Sequence, residues 1–506
     1  MGASSLPQSQ AAMLAAITTD LDKIAPRFDL QPDQITIIKT PADFYQTLKD
    51  KISKAQHRIY LSTLYIGKTE HDLIATIRNA LAVNPSLRVS FLTDSLRGTR
   101  ETPEPSSASL LTPLITEFGS ERVEVRMYHT PNLTGMRKKF IPKRINEGWG
   151  LQHMKLYGID DEIIISGANL SNDYFTNRQD RYHLFQSKDL ADYFAKIHNS
   201  VASLSLDLQP SKAAGAGGYN MIWPASNPAP SPLDSPSKYR DAASKHLSLL
   251  LTPKNSPPAS TSAPQSTTIY PVLSLVPLLS TSTELPALTA ILSCLSSPMQ
   301  RNSSWTFTAG YFNMTPAFRR LLLSTRPASG TVLTAHPHAN GFYGSKGVSG
   351  MLPDAYTHLA KMFLQKVRHE GLGDTVELRE WKRGMVGEEG GWTYHAKGLW
   401  VTFPSTSSSV STAPDTQARS QLQEDPSITV VGSSNYTKRS YELDLEANVI
   451  ITTSDPGLRK RLGEEVKWLG EYAEKVDESE FEKPERKVGL GVRLSMWAVR
   501  VLGGAL

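Results

Sequence analysis

The chain has 506 residues, 39% of them hydrophobic and 20% charged, with a formal net charge of +5. That is an ordinary globular composition with room for two domains, and its mild positive balance suits an anionic substrate or membrane surface without demanding one. The single cysteine, Cys294, excludes an internal disulfide and a cysteine-built zinc site, and no apolar run reaches the roughly 18–20 residues of a spanning helix.

The first segment, residues 1–30, has no arginine before Arg27 and carries Asp20 and Asp22, which is neither a secretory signal nor an arginine-rich transit peptide. A first domain is expected over 31–208. It opens with "RIYLSTLYIGKTEHDLIATIRNAL", a strand, then Tyr65-Ile66-Gly67, then an amphipathic helix, and continues through the strands "RVSFLTD" and "RVEVRMYH" to "LQHMKLYGID". Two basic stretches lie inside it. "LTDSLRGTRE" brings Arg97 and Arg100 to a strand end, where an anionic ligand fits. "MRKKFIPKRINEGWG" interleaves Lys139 and Arg144 with Phe140 and Trp149, as expected of a loop that clamps a diphosphate or dips into an anionic bilayer.

Residues 209–268 are rich in Ser, Pro and Ala with one helical island, "KYRDAASKHLSLLL", and read as a linker or insertion. A second domain is expected over 269–480, interrupted by a low-complexity loop at 404–427. Within it, Lys346 of "NGFYGSKGVSG" stands in a glycine-rich loop whose backbone could cradle a phosphate. In the tail, 481–506, Leu490, Leu494, Trp497 and Val501 form an apolar stripe, with Arg493 and Arg500 seven apart on one face. Such a helix suits a membrane interface.

The second domain repeats the first. "SWTFTAGYFNMTPAFRRLLL", "GTVLTAHP", "TVELREWK" and "TYHAKGLWVT" follow the order of the elements above, with 88 residues from Tyr65 to His153 and 84 from Tyr311 to His395. An ordered set of matches at this scale marks internal duplication, and strands alternating with helical patterns favour mixed α/β sheets covered by helices. His153 and Lys155 are two apart, as are His395 and Lys397, so a strand presents each pair on one face. Downstream, "IIISGAN" and "TVVGSSN" end in Asn169 and Asn435, and eleven residues beyond each stands a carboxylate, Asp180 and Glu446. These are candidate partners for the histidines. Asp160 follows the first pair, while Thr402 holds the corresponding place in the second.

Two copies of H-x-K, with the downstream Asn and the first-copy Asp160, resemble the phospholipase D superfamily. More narrowly, "HMKLYGIDDEIIISGANLSNDYFTNRQDRY", "HPHANGFYGSKGVSGMLPDAY", "LYIGKTEHDLI" and "TYHAKGLW" are similar to the mitochondrial phosphatidylglycerophosphate synthases of fungi and animals. The resemblance implies two pseudo-twofold-related domains with one site at their interface. It also implies transfer of a phosphatidyl group from CDP-diacylglycerol to glycerol 3-phosphate through a phosphohistidine. No cofactor, metal or nucleic acid is called for, and a homo-oligomer is left open. The implied location is peripheral, on the mitochondrial inner membrane. The catalytic set is then His153, Lys155, Asp160, Asn169, Asp180, His395, Lys397, Asn435 and Glu446. By family habit His153 is the nucleophile and His395 the acid/base. The same residues would equally serve a hydrolase, a nuclease or a phosphatidylserine synthase of the superfamily.

Overall fold

The computed structural model describes residues 6–100, 105–142, 145–212, 218–253, 266–297, 302–404 and 425–501. Two nine-stranded mixed sheets, flanked by helices, carry the duplication. In the first, the strands run 35–38, 182–186, 162–166, 156–159, 58–62, 88–94, 123–128, 206–210 and 219–222. In the second, the order is 28–30, 267–274, 446–453, 428–432, 397–402, 304–309, 330–335, 376–381 and 473–475. Aligning 156–159 with 397–402 matches eight strands in the same order, including the parallel triplets 58–62/88–94/123–128 and 304–309/330–335/376–381. The ninth strand differs at each edge. Phe28–Leu30 leaves the N-terminal segment to pair with Thr267–Ile269 of the second sheet. Tyr219–Ile222 pairs with Asp207–Pro210 and extends the first.

Local chemistry accounts for the elements. Helix Pro41–Ser53 begins at Thr40, whose hydroxyl accepts from the Asp43 N–H, with proline at the first helical position. Its buried Phe44, Leu48 and Ile52 recur every fourth residue. Helix His71–Val83 buries Leu73, Ile77, Ala80 and Leu81, and its counterpart Pro316–Ser324 buries Phe318, Leu322 and Leu323. These are the helices read after Tyr65 and Tyr311. The apolar runs Glu162–Ser166 and Glu446–Thr453 are buried along nearly their whole length, because both faces of each sheet are covered. Ile163 and Ile165 look into a core shared with Ala447, Val449 and Ile451 of the other sheet, while Ile164 and Ile450 look into separate cores of their own halves.

The segment 209–268 supplies more than the sequence pattern indicated. Besides the edge strand, helix Pro236–Leu251 packs Tyr239, Ala243, Leu247 and Leu251 into the shared core. The Tyr239 hydroxyl donates to Leu204 O at 2.8 Å. The strands on either side of the 404–427 loop, 397–402 and 428–432, pair antiparallel as a hairpin requires. Most of that loop lies outside the described residues.

Candidate active site

The two halves meet through a pair of short parallel contacts, and these set the geometry of the motifs. Ahead of the second motif, Thr393 and Tyr394 pair with Arg178 and Gln179, and the His395 N–H donates to Gln179 O at 2.8 Å. Ahead of the first, Gln152 bridges Leu445, and the His153 N–H donates to Leu445 O at 3.0 Å. Each histidine is therefore held against the backbone that immediately precedes the other half's carboxylate. The consequence is crosswise pairing. His153 Nδ1 lies 3.0 and 2.9 Å from the two Glu446 oxygens, and His395 Nδ1 lies 2.6 Å from Asp180 Oδ2.

Lysines complete the cluster. Lys155 is fully buried and donates to His153 O at 2.7 Å. Lys397 Nζ lies 2.9 and 3.3 Å from the ring nitrogens of His395 and 3.9 Å from Asp180 Oδ2. Space is tight enough to dictate side chains. A Cβ on Gly167 would stand 2.6 Å from Asp180 Oδ1 and 2.9 Å from Lys397 Nζ, so only glycine fits there. In the equivalent place of the second half, Ser433 donates its hydroxyl to Glu446.

Burial dominates the electrostatics. It raises the Asp180 carboxyl to about 6 and Glu446 to about 7, against the opposing pull of Lys397 and Lys155 respectively. It lowers Lys155 to about 7 and depresses Lys397. Both imidazoles are held well below the usual histidine range, first by burial and then by Lys155 or Lys397. Neutral rings with Nδ1–H donated to a carboxylate leave Nε2 as the reactive nitrogen. On His395 that nitrogen is 3.3 Å from the Tyr174 hydroxyl, which also accepts from Asn169 Nδ2 at 3.2 Å.

Of the expected site residues, both His/Lys pairs, Asp180, Glu446 and Asn169 converge. Asn435 is held by its backbone N–H, which donates to Ser440 Oγ at 3.1 Å. Asp160 does not join the cluster. Its carboxylate receives the backbone N–H groups of Gln56, His57 and Arg58 at 2.8, 2.8 and 3.0 Å. With φ of 50° it forms the turn between strands 156–159 and 162–166. That turn needs an acceptor for orphaned donors, which is a structural task. Arg97 stacks 4.9 Å over the Tyr65 ring and reaches Glu147 at 3.4 Å, and Arg100 also pairs with Glu147. Lys346 caps a short helical turn, Gly347–Met351. Lys139 and Phe140 are exposed, Trp149 is half-buried, and Arg493 is exposed. Arg144 and the side chains of Trp497 and Arg500 lie outside the described residues.

Sequence reasoning passed over three elements: Tyr174, Arg178, and an ion-paired network of Arg181 with Glu465. Arg178 and Asp180 are two apart, a spacing that shares one side of an extended chain, so Arg178 was within reach. The Arg181 partner, 284 residues away, carried no local signal.

A family model described as "Cardiolipin synthase, PLD-like domain" matches residues 48–201. The chain is 46% identical to the CDP-diacylglycerol–glycerol-3-phosphate 3-phosphatidyltransferase of Saccharomyces pastorianus, over all of this chain and 94% of that one. The chain belongs to the CDP-diacylglycerol–glycerol-3-phosphate 3-phosphatidyltransferase family. Family members extend to animals. The bovine one, whose name adds "mitochondrial", is 34% identical over 93% of this chain and 83% of its own length. Beyond the family, the fold is similar to that of a phosphatidylserine synthase of Haemophilus influenzae Rd KW20. That structure aligns with a TM-score of 0.69 at 18% identity, covering 97% of this chain and 98% of the other.

Proposed function

We propose that this site transfers the phosphatidyl group of CDP-diacylglycerol to sn-glycerol 3-phosphate, releasing CMP and forming phosphatidylglycerophosphate. The observation that carries the reading is the crosswise pair of His–carboxylate dyads, each with a buried lysine, in a chain so close to named phosphatidyltransferases. In the first step His153 Nε2 bonds to the β-phosphorus as the P–O bond to CMP breaks, and His395 gives the departing oxygen its proton. In the second, the glycerol hydroxyl passes its proton back to His395 as its oxygen bonds phosphorus and the P–N bond breaks. Glu446 and Asp180 hold the rings in the reactive tautomer. Lys155 and Lys397 neutralise the phosphoryl oxygens of the transition state.

The depressed histidines fit this scheme. A diphosphate entering between two buried lysines supplies the negative charge they lack, which favours the protonated form of His395. Arg97 and Arg100 at the rim are placed by us on the donor's nucleotide side, with Lys346 and Lys139 further out. A lipid substrate also needs a bilayer. Two exposed apolar patches with basic neighbours serve that role: Met136 and Phe140 beside Arg137–Lys139, and Leu490 and Leu494 beside Arg493. No helix among the described residues is long and apolar enough to cross a membrane. Peripheral attachment at the mitochondrial inner membrane is the reading we favour, supported by the "mitochondrial" in the animal relatives' names.

The test is CMP release from CDP-diacylglycerol in detergent micelles, with and without glycerol 3-phosphate. Release that requires the acceptor, yields phosphatidylglycerophosphate and vanishes in His153→Ala supports the reading. Rapid release into water with phosphatidic acid as product would make the protein a hydrolase, and turnover with serine alone a phosphatidylserine synthase.

A further inference from the structure

The duplication makes one asymmetry visible. Nine residues past each motif asparagine, and two ahead of each carboxylate, stand Arg178 in the first half and Asp444 in the second. These are equivalent positions in the two repeats with opposite charges, and four residues past each asparagine the exchange is reversed, Asp173 facing Arg178 and Arg439 facing Asp444. Asp444 Oδ1 accepts from the Leu151 N–H at 2.9 Å and from Arg439 at 3.1 Å, beside His153. Arg178 stands beside His395. Its Nε donates to Thr393 Oγ1 at 3.0 Å and its Nη2 lies 2.7 Å from Asp173 Oδ2. The guanidinium is 4.6 Å over the Tyr174 ring, whose edge meets the His395 ring at 5.2 Å. The glycine-rich loop closes over it. A Cβ on Gly341 would lie 3.1 Å from Arg178 Nη2 and 3.0 Å from the Tyr311 hydroxyl. Tyr311 in turn meets the His395 ring at 5.1 Å.

In-line displacement puts the attacking atom and the departing or arriving oxygen on opposite sides of phosphorus. With His153 attacking, both CMP and the acceptor occupy the His395 side, which is the side of Arg178. The acceptor's own phosphate sits across a three-carbon chain from its reacting hydroxyl. It must therefore bind beyond His395, at about the reach of one aromatic ring, and that is where Arg178 lies. A guanidinium fork matches a phosphate monoester in shape and charge. We propose that Arg178 recognises the phosphate of the acceptor alcohol, so that the site selects a phosphorylated glycerol over an uncharged alcohol or an amino acid. The assignment rests on the transferase reading above.

The experiment measures kcat/KM for glycerol 3-phosphate and for glycerol, with CDP-diacylglycerol in micelles, in wild type, Arg178→Gln and Arg178→Lys. The preference for the phosphorylated acceptor falls by about 30-fold in Arg178→Gln, the worth of one charge-assisted contact. Arg178→Lys, which keeps the charge and loses the fork, retains part of it, and keeps the ratio readable where the glutamine variant fails to fold. The ratio is an internal control, because a merely structural role lowers both acceptors together and leaves it unchanged. That result overturns the proposal. A parallel assay follows exchange of labelled CMP into CDP-diacylglycerol. If Arg178→Gln raises the KM for CMP as much as that for glycerol 3-phosphate, the residue serves the nucleotide phosphate and the assignment is wrong. A wild type that exchanges CMP but never uses glycerol 3-phosphate overturns the transferase reading itself, and the assignment with it.

Discussion

Glu465→Gln and Arg181→Met should each cost about 3–5 kcal/mol, and together much less. Arg181 sits on the first half and Glu465 on helix Pro456–Leu469 of the second, with side chains 0% and 2% exposed. The carboxylate takes Arg181 Nε and Nη2 at 2.9 and 2.7 Å, His183 Nε2 at 2.9 Å and the Trp400 indole N–H at 3.0 Å. Burial alone would raise the Glu465 carboxyl, but Arg181 and His183 hold it below its ordinary value. Losing only the acid strands a buried guanidinium with three neutral acceptors, Val430 O, Thr429 Oγ1 and Lys397 O. Losing only the base strands a carboxylate. The double variant strands neither charge, and its glutamine still has an oxygen for the indole. Urea unfolding at neutral pH, followed by far-UV circular dichroism, measures all four proteins. A coupling energy of about 2 kcal/mol or more is expected between the two positions. Singles that lose under about 1 kcal/mol, or a double that loses their sum, would refute the view that this ion pair clamps the halves.

Two further outcomes follow from the site. Asp160→Ala removes the acceptor of three backbone N–H groups, partly open to water, and should cost about 1–2 kcal/mol of stability while leaving kcat within about twofold; a loss of 100-fold or more in kcat would return Asp160 to the chemistry. Glu446→Gln should lower kcat by about 10³–10⁴-fold with a distinctive effect on stability. The folded carboxyl, at about 7, lies above its ordinary 4.5, so its contribution is present below pH 4.5 and is lost as pH rises to 7. The variant's melting temperature should therefore gain on wild type steadily from pH 4.5 to 7, and a flat difference would show that Glu446 is not proton-bound in the fold.

The duplication was legible because it is written in strand periodicity and spacing. His153/Lys155 and His395/Lys397 needed only the two-residue repeat, and Asn169, Asp180, Asn435 and Glu446 only equal offsets from them. What spacing cannot carry is partnership between distant strands. That His153 turns to Glu446, 293 residues on, and not to Asp180, depends on which backbone Leu151–His153 lies against. The place of Asp160 was illegible for a related reason. Its side chain shares a motif with catalytic residues, yet its position at a strand-end turn commits it to local N–H groups. In the Ser/Pro-rich stretch the helical island was legible but its partner was not: Tyr239, Ala243 and Leu247 fall on one helical face and find the shared core.

Crosswise pairing also explains why the two halves are bound so closely. Each supplies a histidine and lysine to one dyad and the carboxylate to the other, so neither contains a complete dyad. Every buried charge in the cluster relies on compensation from the opposite half. A relative shift of an ångström would part Asp180 from Lys397 and leave the His395 ring without the carboxylate that orients it. Such a site costs folding energy, because both carboxyls and both lysines are held away from their ordinary protonation equilibria by burial. The shared apolar core and the Arg181–Glu465 network offset that cost at the same interface. Near-symmetry then supplies two imidazoles in like settings, and chemistry needs them unlike. The two Arg–Asp pairs, Arg178 with Asp173 and Arg439 with Asp444, run in opposite order along the repeats and are one place where the two settings differ. The duplicated fold thus fixes the geometry of the two dyads, and exchanges at equivalent positions are where the halves differ.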